Sequence, residues 1–137
     1  MHIEKSAKNM TSSNSLNVYE EPLQACCFEP RTGWYRDGFC HTNDDDTGVH
    51  TVCVVVTEEF LSFSKAAGND LSSPNPWFPG LKPGDKWCLC AQRWQEAFEA
   101  GCAPKVFMDG THIRTLDIIK YNDLEKHSLY AAKSQVR

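Results

Sequence analysis

The sequence predicts an α+β fold: a single domain with a small mixed β-sheet, about three helices and a long proline-rich loop. Three observations carry this. "VHTVCVVV" at 49–56 is β-branched almost throughout, which marks a strand. "TEEFLSFSKAAGND" and "AQRWQEAFEAG" have apolar residues at helical spacing and end on glycine. Between them, residues 71–87 hold four prolines and two glycines, which no helix or central strand accepts.

The elements follow in order. Residues 1–17 are rich in Ser, Asn and Lys and read as a disordered tail; 18–130 read as the globular domain and 131–137 as a frayed end. "GWYRDGFC" at 33–40 reads as a strand or an extended loop. The 49–56 strand leads into a helix with Thr57 as N-cap, Glu58 and Glu59 at its positive end and Gly68 as its stop. In the loop after it, Trp77, Phe78 and Leu81 are candidates to pack the loop on itself. "KWCLC" reads as a short strand, and the next helix puts Trp94, Ala97 and Phe98 on one face. Trp87 and Trp94 are expected in the core. "KVFM" and "HIRTLDII" read as strands, and "NDLEKHSLYAA" as a last helix with Asn122 as N-cap. The β-helix-β run at 86–108 suggests a right-handed parallel crossover.

The bulk numbers exclude some functions. The chain has 137 residues and a formal net charge of −4, with no basic cluster, so nucleic acid is not an expected partner. No apolar run is long enough for a membrane span. The start lacks an apolar signal region, and seven cysteines is an odd number. The expectation is a cytoplasmic protein with free thiols in a reducing compartment.

Each cysteine then poses a choice between metal, catalysis and packing. The candidates are Cys26, Cys27, Cys40, His41, His50, Cys53, Cys88, Cys90, Cys102 and His112, and no Cys-x-x-Cys occurs. In an uninterrupted strand His50 and Cys53 point to opposite faces, whereas Cys88 and Cys90 share one. Buried packing thiols are the default, so no metal site is assigned and the cofactor stays unknown. If a helix begins at Ala91, Cys90 sits at its N-terminus, where free N–H groups and the dipole stabilise a thiolate. The candidate catalytic set is therefore Cys90 and Cys88, with His112 or His41 as base. "NDDDTG" fails as a calcium loop because Val54 stands where a bidentate Glu is required. It reads as a solvated turn. Arg36 with Asp37, and Asn69 with Asp70, either line a pocket or cap elements; Arg93 either binds an anion or pairs along its helix.

"GWYRDGFC", "GVHTVCVVVTEEFLSFSKAAGNDLS", "FPGLKPGDKWCLCAQRWQEAFEAGCAP" and "THIRTL" resemble the domain-of-unknown-function family numbered 2237. The likeness runs from about Leu23 to about His127 and implies a single-domain, mostly bacterial protein with no assigned activity. The family's motifs take in Cys26, Arg36, Asp37, Cys40, His50, Cys53, Asn69, Asp70, Cys88, Cys90, Arg93 and His112, which form the shortlist for any site. In the family pattern the position of Phe39 is often a second cysteine, while Cys27 and Cys102 stand outside it.

Three readings remain open. The first is a binding module for a small molecule or partner, with the loop at 72–87 as one wall and Arg36, Asp37, His50, Asn69, Asp70 and Arg93 as polar groups. The second is an enzyme using Cys90 or Cys88 with His112, or a Cys/His-bound metal. The third is a purely structural or interaction protein with no site. Oligomeric state is not legible.

Overall fold

The computed structural model describes residues 15–130. Its order is β1 (His50–Val55), α1 (Glu58–Ala66), β2 (Lys86–Cys90), α2 (Ala91–Glu99), β3 (Lys105–Val106), two 3₁₀ helices (Met108–Gly110 and Ile113–Asp117) and α3 (Tyr121–Glu125). This is the expected small α+β domain. The expected tail and frayed end lie outside the described residues, except that Ser15, Leu16 and Asn17 belong to the folded part. Asn17 is fully buried; its side-chain oxygen accepts from the Tyr19 and Glu21 amides.

The sheet has the order β2-β1-β3, with both neighbours antiparallel to β1. It is therefore antiparallel, not mixed; the parallel contact is an isolated bridge between Val106 and Ser128. β2 and β3 do run the same way, but β1 lies between them, so the expected crossover spans a strand instead of joining neighbours. The 3₁₀ helix at Ile113–Asp117 replaces the strand expected from "HIRTLDII". The last helix starts two residues earlier than expected: Lys120, not Asn122, is its N-cap.

Local chemistry accounts for the well-read elements. Thr57 caps α1 by accepting the Phe60 amide at 3.0 Å, and Gly68 ends it in the left-handed region at φ 101°. Pro104 stops the chain after α2, and its carbonyl accepts the Trp94 indole N–H at 3.2 Å.

The two sheet faces carry different cores. On one, Val52, Val54, Leu89, Trp87 and Val106 pack against Phe60, Leu61, Trp94, Ala97 and Leu124. On the other lie Cys26, Cys40, Cys53 and Cys88, with Phe107 against them. These four form two disulfides, Cys26–Cys53 and Cys40–Cys88, which corrects the expectation of free thiols. Cys53 and Cys88 are direct cross-strand partners, so the bonds fasten the loops before β1 to adjacent positions on β1 and β2.

His112 is a structural element of this region. It is buried, its amide donates to the Thr51 carbonyl at 3.0 Å, and its Nδ1 accepts the Arg114 amide at 3.0 Å. Burial first, then the charges of His41 and Arg114, push its pKa down to about 4, with Asp117 opposing. An unfolded His112 takes up its proton near 6.5, before the folded one does. Its contribution is therefore complete above about pH 6.5 and is lost as pH falls through about 4, by up to about 3 kcal/mol. Urea midpoints measured across that window should fall in the wild type and fall less in His112→Gln. Equal slopes would remove His112 as the cause.

Candidate functional site

The bulge in the sheet builds the site. The register pairs Cys53 with Cys88 and Val52 with Leu89, then shifts, so that His50 rather than Thr51 stands opposite Cys90. Uninterrupted alternation would leave His50 on the side of Val52. The extra residue turns it toward the face of Cys88 and Cys90. The turn before it is strained: Val49, a β-branched residue, has φ 53°. Its carbonyl accepts the amides of Thr51 and of Ala91, both at 2.9 Å. One carbonyl thus ties the His50 turn to the start of α2.

His50 is oriented by a residue the sequence reading left in solvent. Asp46 is buried, and its Oδ1 lies 2.6 Å from His50 Nδ1 while its Oδ2 accepts the His50 amide at 2.9 Å and the Thr42 hydroxyl at 3.0 Å. Burial alone would raise the Asp46 carboxyl, but the bonds from His50 and Thr42 outweigh it and hold it below the usual carboxylate range. With Nδ1 engaged, Nε2 is the ring nitrogen left to face solvent; the His50 side chain is 38% exposed. Trp34 stacks on the ring at 6.0 Å.

A cleft of about 690 Å³ opens along β2, the strand at the end of the sheet order. Of the sequence shortlist, Arg36, His50, Asn69, Asp70, Cys88 and Cys90 line it. Trp34, Trp77, Phe78 and Trp87 supply aromatic walls. The Arg36 guanidinium lies 5.3 Å from the Trp87 ring and donates to the Gly33 carbonyl at 2.6 Å. Gly33 has φ 104°, and a Cβ there would run into the Phe39 carbonyl, so the loop passes close only because the residue is glycine. Arg36 itself has φ 56°, so two left-handed non-glycine residues, Arg36 and Val49, flank the cleft.

The opposite wall is the proline-rich loop. Asp70 accepts the amides of Ser72 and Ser73, and hydrogen bonds from these two serines bring its pKa down to about 2. Leu81 is buried and Phe78 packs on Trp87 at 5.1 Å, as expected of a loop packed by its own side chains. Trp77 departs from that expectation: it is 89% exposed at the cleft rim.

The remaining candidates lie elsewhere. Cys88 is disulfide-bonded to Cys40 and offers no thiolate. The sulfurs of Cys26, Cys40 and Cys88 lie within 4.8 Å of one another, but disulfide formation uses all three. His112 is away from the cleft lining with its Nδ1 engaged, so the histidine brought opposite Cys90 is His50 instead. Asp37 accepts the Phe39 amide and lies 3.8 Å from His41. Arg93 donates to the Ala67 carbonyl at the end of α1 and pairs with Glu96. Asp37 thus takes the capping alternative, and Arg93 the pairing along its helix. Cys90 is free and partly exposed, and it is the N-cap of α2, as expected. No side chain caps that helix, which forgoes about 1 kcal/mol that Ser or Asp would supply there.

No helix among the described residues is long and apolar enough to cross a membrane. Comparison with curated proteins finds no match. Residues 16–128 match the family described as "Uncharacterized protein conserved in bacteria (DUF2237)", a span that takes in the whole cleft and both disulfides, and the chain belongs to that family.

Proposed function

We propose that the cleft along β2 binds a small organic molecule with a flat apolar body and an anionic group. The observation that carries this is the convergence of Trp34, Trp77, Phe78 and Trp87 with Arg36 and His50 around one opening. Arg36 would meet the anion, and the exposed face of Trp77 would cover the apolar body. The net charge of −4 supports a small ligand over a polyanionic strand. The two buried disulfides favour a setting in which such bonds persist, over the reducing cytoplasm expected from the cysteine count.

The test uses anilinonaphthalene sulfonate, an aromatic anion that also reports on its surroundings by fluorescence. Saturable binding to the folded protein is expected. Arg36→Asn removes the charge at a left-handed position that asparagine tolerates, and should weaken binding about tenfold. Trp77→Ala should weaken it by a similar factor. Unchanged affinity in both variants would overturn the assignment of the cleft.

A further inference from the structure

We propose that Cys90, His50 and Asp46 act together in this cleft to cleave esters of small carboxylic acids through a thioester on Cys90. This rests on the cleft being the binding site. The geometry supplies each part. Cys90 and His50 are direct cross-strand partners, which sets their Cα atoms roughly 5 Å apart, and both line the cleft. The Val49 carbonyl, bonded to the Thr51 and Ala91 amides, holds the two segments together. Buried Asp46 fixes the imidazole through Nδ1, which leaves Nε2 as the acid–base nitrogen. Cys90 is a free thiol at the start of a nine-residue helix whose first turn no side chain caps; the Ala91 N–H is taken by the Val49 carbonyl, and the next two backbone N–H groups, those of Gln92 and Arg93, are the donors left for a developing oxyanion.

The chemistry balances with water as co-reactant. His50 Nε2 takes the thiol proton as Cys90 Sγ attacks the acyl carbon. The S–C bond forms, the C–O bond to the alcohol breaks, and the proton passes from His50 to the leaving alkoxide. His50 then deprotonates a water, which attacks the thioester; the acid leaves and the proton returns to Cys90 Sγ. The net reaction is ester plus water to acid plus alcohol. Asp46 is a positioning residue, since it acts through His50. Arg36 and Asp70 are the other charged groups of the cleft.

The experiment mixes the intact protein with p-nitrophenyl acetate and locates the acetyl group by peptide mass. Cys27 and Cys102, the other free thiols, serve as internal controls. A burst of nitrophenolate with acetyl on Cys90 is expected, absent in Cys90→Ser. His50→Gln, at a partly exposed position, should slow acylation about 100-fold and remove the acid limb of its pH profile. Asp46→Asn should slow it and displace that limb. The proposal is overturned if Cys90 acylates no faster than Cys27 and Cys102, or if His50→Gln leaves rate and profile unchanged. Anilinonaphthalene sulfonate binding, measured in Cys90→Ser, separates the two readings: binding without Cys90 reactivity sinks the thiol chemistry alone, and Cys90 reactivity without binding sinks the anion-binding assignment.

Discussion

Replacing Cys40 and Cys88 together by alanine lowers stability by about 4 kcal/mol, and replacing Cys26 and Cys53 by about 3.5 kcal/mol. The figures come from the chain entropy that each cross-link removes from the unfolded state, with sequence separations of 48 and 27 residues. The two closed loops share residues 40–53. Once one bond is formed, the second closes a shorter effective loop, so each replacement made with the other bond intact should cost somewhat less than its figure, and removing both should cost more than the sum of the two separate losses. The native side adds its own contribution. The Cys88 amide donates to Thr32 Oγ at 2.8 Å, and Thr32 precedes the Gly33–Arg36 wall of the cleft. Loss of the Cys40–Cys88 bond should therefore loosen the binding wall as well as lower the urea midpoint. A thiol count precedes the test: three in the unfolded, unreduced chain, against seven after reduction. An unchanged midpoint after full reduction would mean that packing alone holds the loops before β1.

Those bonds mark the boundary of what the sequence can say. β1, α1, "KWCLC" and the start of α2 were legible because each rests on local chemistry: β-branching, a threonine cap, a glycine stop, a run of apolar residues at helical spacing. So was much of the cleft, since Arg36, His50, Asn69, Asp70 and Cys90 all stood among the residues expected to form a site, and all lie within the span that matches the family. Cysteine pairing was not legible. Cys26 meets Cys53, and Cys40 meets Cys88, only because two loops fold onto adjacent strand positions, and an odd cysteine count argued the other way. The partner of Cys90 was hidden for a related reason. Strict alternation kept His50 off the cysteine face, and the bulge that brings it there depends on Val49 adopting a backbone conformation its side chain disfavours. Asp46 has two acidic neighbours, and composition gave no means of telling the buried one from the solvated ones.

Trp94→Ala should destabilise by about 3–5 kcal/mol, the range for deleting a large buried aromatic. Trp94 is fully buried, stacks on Phe98 at 5.4 Å and meets the edge of His127 at the same distance. Its indole N–H is bonded to the Pro104 carbonyl, so truncation leaves both a cavity and an unpaired buried acceptor. Trp94→Phe separates these: it keeps a ring for Phe98 and His127 but not the donor, and should lose only part of the amount. Trp87→Ala is a different experiment, because Trp87 is a wall of the cleft and the platform for Arg36 as well as a core residue. Its effect should divide between stability and ligand affinity, whereas that of Trp94 should fall on stability. Against a total of about 5–15 kcal/mol for a domain, either loss is large. Trp94 lies one helical turn beyond Cys90 and anchors the helix whose N-terminus holds that thiol. If its truncation left the denaturation midpoint unchanged, α2 would lack the rigid mounting on which an ordered Cys90–His50 pair depends.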